Sequence, residues 1–378
     1  MDFELSDDQK MLVGQAQSFV RKESPVTRAR ALRDDERGWD PAVWKKMADL
    51  GWMSLPFPEH VGGLDGSFAD VTLILDQLGT TLVPEPFVES VILAGTAILR
   101  AGSAAQQERL LTPMIAGETS LALAALERRS RYDVCAVDTR ATQHGDAWTL
   151  TGEKYFVLNG HAADHLVVSA RTSGKHDERN GISLFAVARD AAGLHVQTVK
   201  TMDGRRAAIV RLEGVTGELL GAEGAAAPVL EEAMDLGAAA ACAEGTGIMR
   251  TVLWMTVEYL RTREQFGVKI GTFQALQHRA VDMFIEAELA KSTSILAAIK
   301  ATAPAGERAY EISKAKAQLT QSGHFVVRQG TQLHGGIGVT DEHDIGLYFK
   351  RMQVLGALFG DEDFHLHRFS SMPQFAAI

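Results

Sequence analysis

The chain has 378 residues, 46% hydrophobic and 23% charged, with a formal net charge of −10. That length is ample for a large core and fits two or three domains better than one, and the negative charge argues against a nucleic-acid binder, which needs a basic face against phosphate. No apolar run approaches the ~18 residues of a membrane span, so membrane insertion is not expected, and Cys135 and Cys242 are too few and too scattered for a disulfide framework or a zinc site.

The first residues, MDFELSDDQK, are acidic where a secretory signal would be basic and then apolar. A cytoplasmic protein is expected, with both thiols inert in its core.

Residues 1–118 read as helices. Ser6 with Gln9 forms a capping box, and Asp40-Pro41 pairs an N-cap with a first-turn proline. Ser67 with Asp70 starts a third helix and Ser103 a fourth. Between them, 55–66 is too rich in Pro and Gly to be regular.

From 119 to 222 the period changes. Short β-type runs lie at Leu121–Glu127, Trp148–Thr151, Tyr155–Leu158, Leu166–Ala170, Ile182–Ala188 and Val196–Met202, punctuated by Gly152, Gly160 and Asn180-Gly181. No helix of useful length separates them, so the sheet should be antiparallel.

Residues 223–378 return to helical spacing. Ile248, Val252, Met255 and Tyr259 share one face, as do Leu276, Ala280, Met283, Ala287 and Ala290, and then Ile312, Ala315, Leu319, Ser322 and Val326. With a shorter helix near 341–358 these predict an antiparallel four-helix bundle. The expected fold class is α+β, mainly α: N-terminal helices, a central β-domain and a C-terminal bundle.

The sequence has no GxGxxG, P-loop, GxSxG or HExxH motif. The cluster Asp361, Glu362, Asp363, His365 and His367 has metal-ligand chemistry, but on a helix its members splay around the axis, and a solvated polar helix is the expectation. Two segments carry more. YLRTREQFGVKIGTFQALQHRAVDM (259–283) joins two long helices through a turn at Phe266-Gly267. In it Arg263 offers a bidentate fork for phosphate, Phe266 an aromatic face and Gln274 a hydrogen-bonding amide. QLHGGIGVTDEHDIGLYFKR (332–351) removes Cβ atoms at Gly335, Gly336 and Gly338, where backbone must approach something closely.

With these two segments in place, the chain resembles the acyl-CoA dehydrogenase family over essentially its whole length. RTREQFG…FQ and QLHGGIG are similar to the family's C-terminal signature, TGEKYFVLNGHAADHLVVSA (151–170) to its β-domain strand pair, and LSDDQKMLVGQAQSFV to its first helix. The resemblance implies FAD as cofactor, an acyl-CoA thioester as substrate, and tetramers built as dimers of dimers. It also implies α,β-desaturation, in which a carboxylate takes the α proton and the flavin accepts hydride. By the same resemblance Arg263, Phe266, Gln274, Gln332, Gly335 and Gly336 hold the adenosine and pyrophosphate of a neighbouring subunit's FAD.

Other positions depart from the family pattern. The segment that usually reads Thr-Glu-Pro, small residues and Ser-Asp is Leu126-Glu127-Arg128-Arg129-Ser130-Arg131-Tyr132-Asp133. The one that usually reads Trp-Ile-Thr-Asn is Phe156-Val157-Leu158-Asn159, where Phe156 keeps an aromatic face for the flavin but Leu158 loses the hydroxyl. The family's base position falls on Phe359, before Gly360; the alternative base position is Gly237, beside Ala238. Asp361 and Glu362 are the remaining candidate bases. Groups serving a neighbour's cofactor are kept while groups serving the chain's own flavin and substrate are eroded. This resembles the small subunits of pimeloyl-CoA dehydrogenases, notably at ARTSG, GISLF, FGVKIGTFQALQHRA and LFGDEDFHLHR. It implies a paralogous large subunit in a heterotetramer. A homo-oligomer using Asp361 or Glu362 and a non-catalytic scaffold of the same fold are the alternatives.

Overall fold

The computed structural model describes residues 4–145 and 147–376. Six helices come first: α1 (Asp7–Lys22), α2 (Val26–Leu32), α3 (Pro41–Asp49), α4 (Phe68–Gly79), α5 (Gly95–Ala101) and α6 (Ala104–Ile115). Seven strands follow: β1 (Leu121–Ala124), β2 (Arg140–His144), β3 (Ala147–Leu158), β4 (His165–Arg171), β5 (Ile182–Ala188), β6 (Leu194–Lys200) and β7 (Arg206–Leu220). Then come α7 (Ala227–Thr262), the short strands β8 (Glu264–Gln265) and β9 (Val268–Lys269), α8 (Gln274–Lys300), α9 (Ala305–Leu333), α10 (Ile345–Ala357), α11 (Glu362–Ser370) and α12 (Pro373–Ala376). The capping boxes at Ser6/Gln9 and Ser103/Gln106 both form, and Asp40 caps α3 ahead of Pro41.

The chain packs as two compact units, and the N-terminal helices are shared between them. One unit comprises 1–33, 68–83 and 238–378; the other comprises 34–67 and 84–237.

In the second unit the sheet order is β1-β4-β2-β3-β7-β5, with β6 on β7 and β4 also paired to β5. Antiparallel pairs dominate, as expected, but β1 runs parallel to β4, Leu121 opposite His165. The two runs expected at Trp148–Thr151 and Tyr155–Leu158 are halves of one strand, β3. Gly152 is not a break: its strand crosses so close to Thr139 that a Cβ would lie 2.7 Å from the Thr139 Cα. Two strands lie outside the expected runs. In β2 only Ala141 is buried, and the 15-residue β7 carries Gly214 and Gly217, which read as turn residues. Yet β7 alternates between inward and outward positions from Val210 to Glu213 and again from Gly214 to Glu218, its phase shifting by one residue at Gly214, and it pairs with three neighbours.

In the first unit α7, α8, α9 and α10 supply the expected bundle, with Ile248, Val252, Met283, Ala287, Ile312, Ala315, Leu319 and Val326 all buried. Helices α4 and α7 cross with almost no side chain between them. A Cβ on Gly79 would lie 2.2 Å from the Glu244 carbonyl oxygen, and one on Gly247 would lie 1.9 Å from that of Asp76. Arg250 clamps the crossing with two hydrogen bonds to Asp76, at 3.0 and 2.7 Å. Among the described residues no helix is long and apolar enough to cross a membrane.

Candidate functional site

The end of α7 leads straight into the first motif. The Arg263 N–H donates to the Tyr259 carbonyl at 2.9 Å, which carries the helical register one residue past the helix. In the hairpin that follows, Gln265 pairs with Val268, leaving Phe266 and Gly267 as a two-residue loop with φ of +57° and +78°. Two left-handed residues in succession are the type I′ pattern that matches strand twist. Glycine accepts that conformation freely; a phenylalanine there costs roughly 1–2 kcal/mol. Strain of this kind is tolerated where function needs it, and its effect is to hold the Phe266 ring out at the tip, 90% exposed. The Lys269–Glu264 ion pair at 2.7 Å braces the stem. Arg263 is exposed, and its guanidinium has no protein partner among the described residues. Gln274 is the first residue of α8, also exposed, and no side chain caps the amides of that first turn. A helix start bearing free amides beside an unpaired arginine suits an anionic group.

The second motif closes α9. Gln332, Gly335 and Gly336 are all exposed. The three glycines of this turn have different reasons to be glycine. Gly335 sits at φ +61°. Gly338 is forced by packing, since a Cβ there would lie 2.4 Å from the Thr331 carbonyl oxygen. At Gly336 a Cβ would meet nothing within 4 Å. Nothing among the described residues forbids a side chain at Gly336, so the open space above it is available to something else. The two motifs lie side by side: Tyr259, four residues before Arg263, stacks on His334, the residue before Gly335, with ring centroids 4.5 Å apart.

Phe156 belongs to the other unit. It lies at an irregularity of β3 between Lys154 and Val157, at φ +53°, with its ring 41% exposed. The adjacent Tyr155 N–H donates to the Leu126 carbonyl at 2.8 Å, which joins the two segments that depart from the family pattern. There Arg128 lies 4.6 Å over the Tyr155 ring and also hydrogen-bonds the Tyr155 hydroxyl. Glu127 turns inward and accepts from the Asp138 and Thr139 amides and from Lys154 Nζ at 2.8 Å. Burial pushes its carboxyl up, but the Lys154 charge and these hydrogen bonds outweigh burial and hold it below the usual range. Asn159, at φ +56°, is buried, accepts from Trp39 Nε1 at 3.1 Å and donates to the Leu121 carbonyl at 3.4 Å.

Both candidate bases are engaged. Asp361 is the N-cap of α11 and accepts from the Phe364 amide at 2.9 Å. Glu362 accepts from Gln321 Nε2 at 2.7 Å, beside a crevice of about 450 Å³ that Gln321, His324, Phe325, Arg328 and Gln329 also line. The backbone before them turns through two left-handed residues, Phe359 at φ +60° and Gly360 at φ +115°. Lys316 Nζ fixes this corner by donating to the carbonyls of Gly356 at 3.0 Å and Gly360 at 2.9 Å. His365 fixes it too, through Nε2 to the Phe359 carbonyl at 3.0 Å. The expectation of a solvated helix is therefore corrected at His365, which is 1% exposed and pushed down to about 3 by burial and the Lys316 charge. The helix packs that face on α9, where His365 Nδ1 meets Ser313 Oγ at 3.2 Å.

Lys316 and His334 escape a reading of the sequence. For Lys316 a signal exists: it lies four residues after Ile312 and three before Leu319, on the buried stripe itself. For His334 there is none, because its partners come from separate segments.

This arrangement is that of an acyl-CoA dehydrogenase. The family's N-terminal domain matches residues 6–118, its middle domain 122–215 and its C-terminal domain 227–370, and the chain belongs to the acyl-CoA dehydrogenase family. It is 30% identical over 346 residues to the acyl-CoA dehydrogenase IpdE2 of Mycobacterium tuberculosis, covering 91% of each chain. Among solved structures it is similar to a variant of the Tcur3481-Tcur3483 steroid ACAD, with 29% identity, a TM-score of 0.87 and coverage of 98% and 99%. It is also similar to the ChsE4-ChsE5 complex of Mycobacterium tuberculosis, with 27% identity, a TM-score of 0.88 and coverage of 98% of each chain. The family's chemistry is FAD-dependent oxidation of acyl-CoA. The open surface at Gly336, the unpaired Arg263 and the outward Phe266 ring fit the adenosine diphosphate end of FAD.

Proposed function

We propose that this chain is the small subunit of a heteromeric acyl-CoA dehydrogenase, gripping the dinucleotide end of an FAD whose flavin and catalytic base belong mainly to a paralogous large subunit. The observation that carries the reading is an asymmetry. Arg263, Phe266, Gln274, Gln332, Gly335 and Gly336 are exposed, Phe266 touching only the edge of Phe273 within the same motif, whereas Asp361 caps its own helix, Glu362 is held by Gln321, and Arg128 covers Tyr155. In the grip, Arg263 pairs with a phosphate oxygen through a charge-assisted hydrogen bond. Phe266 offers its ring face to the adenine, and Gln274 and Gln332 hydrogen-bond its polar edges. Phe156 is not part of this grip: in the other unit, it keeps an aromatic face for a flavin held by this chain's own β-domain. Bound FAD supplies the hydride acceptor for desaturation of the acyl-CoA.

Two further observations support a partner. The outer face of α8 exposes Val281, Phe284, Ile285 and Leu289 at helical spacing, an apolar stripe suited to another subunit. The ChsE4-ChsE5 and Tcur3481-Tcur3483 relatives each join two different chains. A cytoplasmic location completes the proposal.

The experiment is the double substitution Asp361→Asn with Glu362→Gln in the assembled enzyme. Turnover should be unchanged. A large loss of kcat with FAD still bound would instead assign the base to this chain and favour the homo-oligomeric alternative.

A further inference from the structure

His334 makes no use of its chemistry in the grip described above, yet it is buried between the two motifs. It is 1% exposed. Its Nδ1 lies 2.7 Å from the Gly330 carbonyl, which only accepts, so Nδ1 carries the proton and Nε2 a lone pair. That Nε2 is buried and has no hydrogen-bond partner among the described residues. One side of the ring stacks on Tyr259 from the end of α7, at 4.5 Å and 30°. A second ring, His343 from the segment before α10, packs at 4.7 Å. His343 in turn accepts the Ile345 amide at its Nδ1, 3.2 Å away. One imidazole thus touches the helix end that presents Arg263, the helix end that presents Gln332, and the loop that follows the glycine turn.

We infer that His334 is a positioning residue for the cofactor grip, holding the Arg263 hairpin and the Gly335-Gly336 turn in register through its neutral, Nδ1-protonated ring. The inference rests on the proposed FAD grip. Each motif alone ends a helix and would fray like any helix end; the stack removes that freedom from both at once, so Arg263 and the glycine turn meet a phosphate without first being ordered. Protonation would place a cation on the buried, unpartnered Nε2. Burial, together with His343, lowers the ring's proton affinity, partly offset by the Gly330 carbonyl. The titratable groups that face the ring are Tyr259 from α7 and His343 from the loop. Of the other charges of that loop, Asp341 pairs with Arg33 and Lys350, Asp344 pairs with Arg30, and Glu342 is exposed to solvent.

The test is FAD dissociation from the assembled holoenzyme, followed by flavin fluorescence, for wild type, His334→Ala, His334→Phe and Arg263→Ala at pH 7 and pH 5. Hydrogen exchange of the same proteins is measured without FAD. His334→Ala should hold FAD roughly tenfold more weakly at pH 7, the worth of one lost aromatic stack. It should also speed exchange in 259–270 and 335–340 together. His334→Phe restores the stack without the nitrogens. It should bind FAD like wild type at pH 7 and lose less affinity than wild type at pH 5. Normal binding and normal exchange in His334→Ala, or equal acid sensitivity in His334→Phe and wild type, would overturn the inference. If Arg263→Ala also binds FAD normally, or wild type holds none even in the assembly, the grip itself falls and this role with it. If only Arg263→Ala is impaired, the grip stands and the positioning role alone is lost.

Discussion

Arg351 donates to both oxygens of the Glu244 carboxylate, each at 2.7 Å, and both side chains are only 6% exposed. The pair ties α10 to α7 within the unit that carries the motifs proposed to grip the cofactor. Buried ion pairs add little net stability, but removing one partner strands a charge in the interior and costs about 3–5 kcal/mol. Arg351→Met alone or Glu244→Leu alone should lower unfolding stability by that order in urea denaturation. The double substitution should cost clearly less than the sum of the two.

Gly336 and Gly338 make an internal control for ligand binding. Gly338→Ala drives a methyl group to within 2.4 Å of the Thr331 carbonyl oxygen and should lower Tm. Gly336→Ala places its methyl in open space. It should leave Tm of the FAD-free chain nearly unchanged while weakening FAD retention at least tenfold, a difference of about 1.4 kcal/mol. Thermal denaturation without FAD and flavin release with it separate the two.

Lys316 gives the chain an alkaline signature. Burial pushes its ammonium down to about 8 from an ordinary value of 10.5, the neighbouring Cys242 and Asp361 opposing burial only in part. Between those two values the unfolded chain binds more protons than the folded one, so stability rises with pH across the window and levels off above it. Lys154 is also pushed down to about 8, by burial against the pull of Glu127, and adds to the same slope. Lys316→Met should therefore keep only part of the gain between pH 8 and pH 10.5. Equal slopes in urea midpoints for the variant and wild type would contradict the assignment.

The apolar stripe on α8 is the surface through which assembly is expected. Phe284 and Leu289 are 47% and 48% exposed. Phe284→Glu with Leu289→Glu should reduce the particle to smaller species by light scattering while leaving far-UV circular dichroism unchanged. An unaltered particle size would place the interface elsewhere.

The sequence shows those parts of this molecule whose signal is local. The capping box at Ser6, the helix start at Ser103 and the bundle faces through Ile248, Met283 and Leu319 follow from spacing alone, and the structure places them as expected. The two motifs proposed to hold the cofactor stand out for the same reason, being contiguous runs. What escapes depends on contacts across the chain. Strand β7 hides behind Gly214 and Gly217 because its alternation slips at Gly214 and two of its three partners, β3 and β5, are not its chain neighbours. The corner at Phe359-Gly360 is fixed by Lys316 from α9 and His365 from α11, which no local pattern joins. The sharing of the N-terminal helices between two units rests on close approaches such as Gly247 against Asp76, seen only after folding.

The most direct measurement is the number of flavins per protomer, read from visible absorbance against protein mass. For the chain purified alone the account predicts well under one FAD per protomer, and binding of flavin once a paralogous large subunit is added. One tightly held FAD on every protomer of a pure homo-oligomer would contradict it.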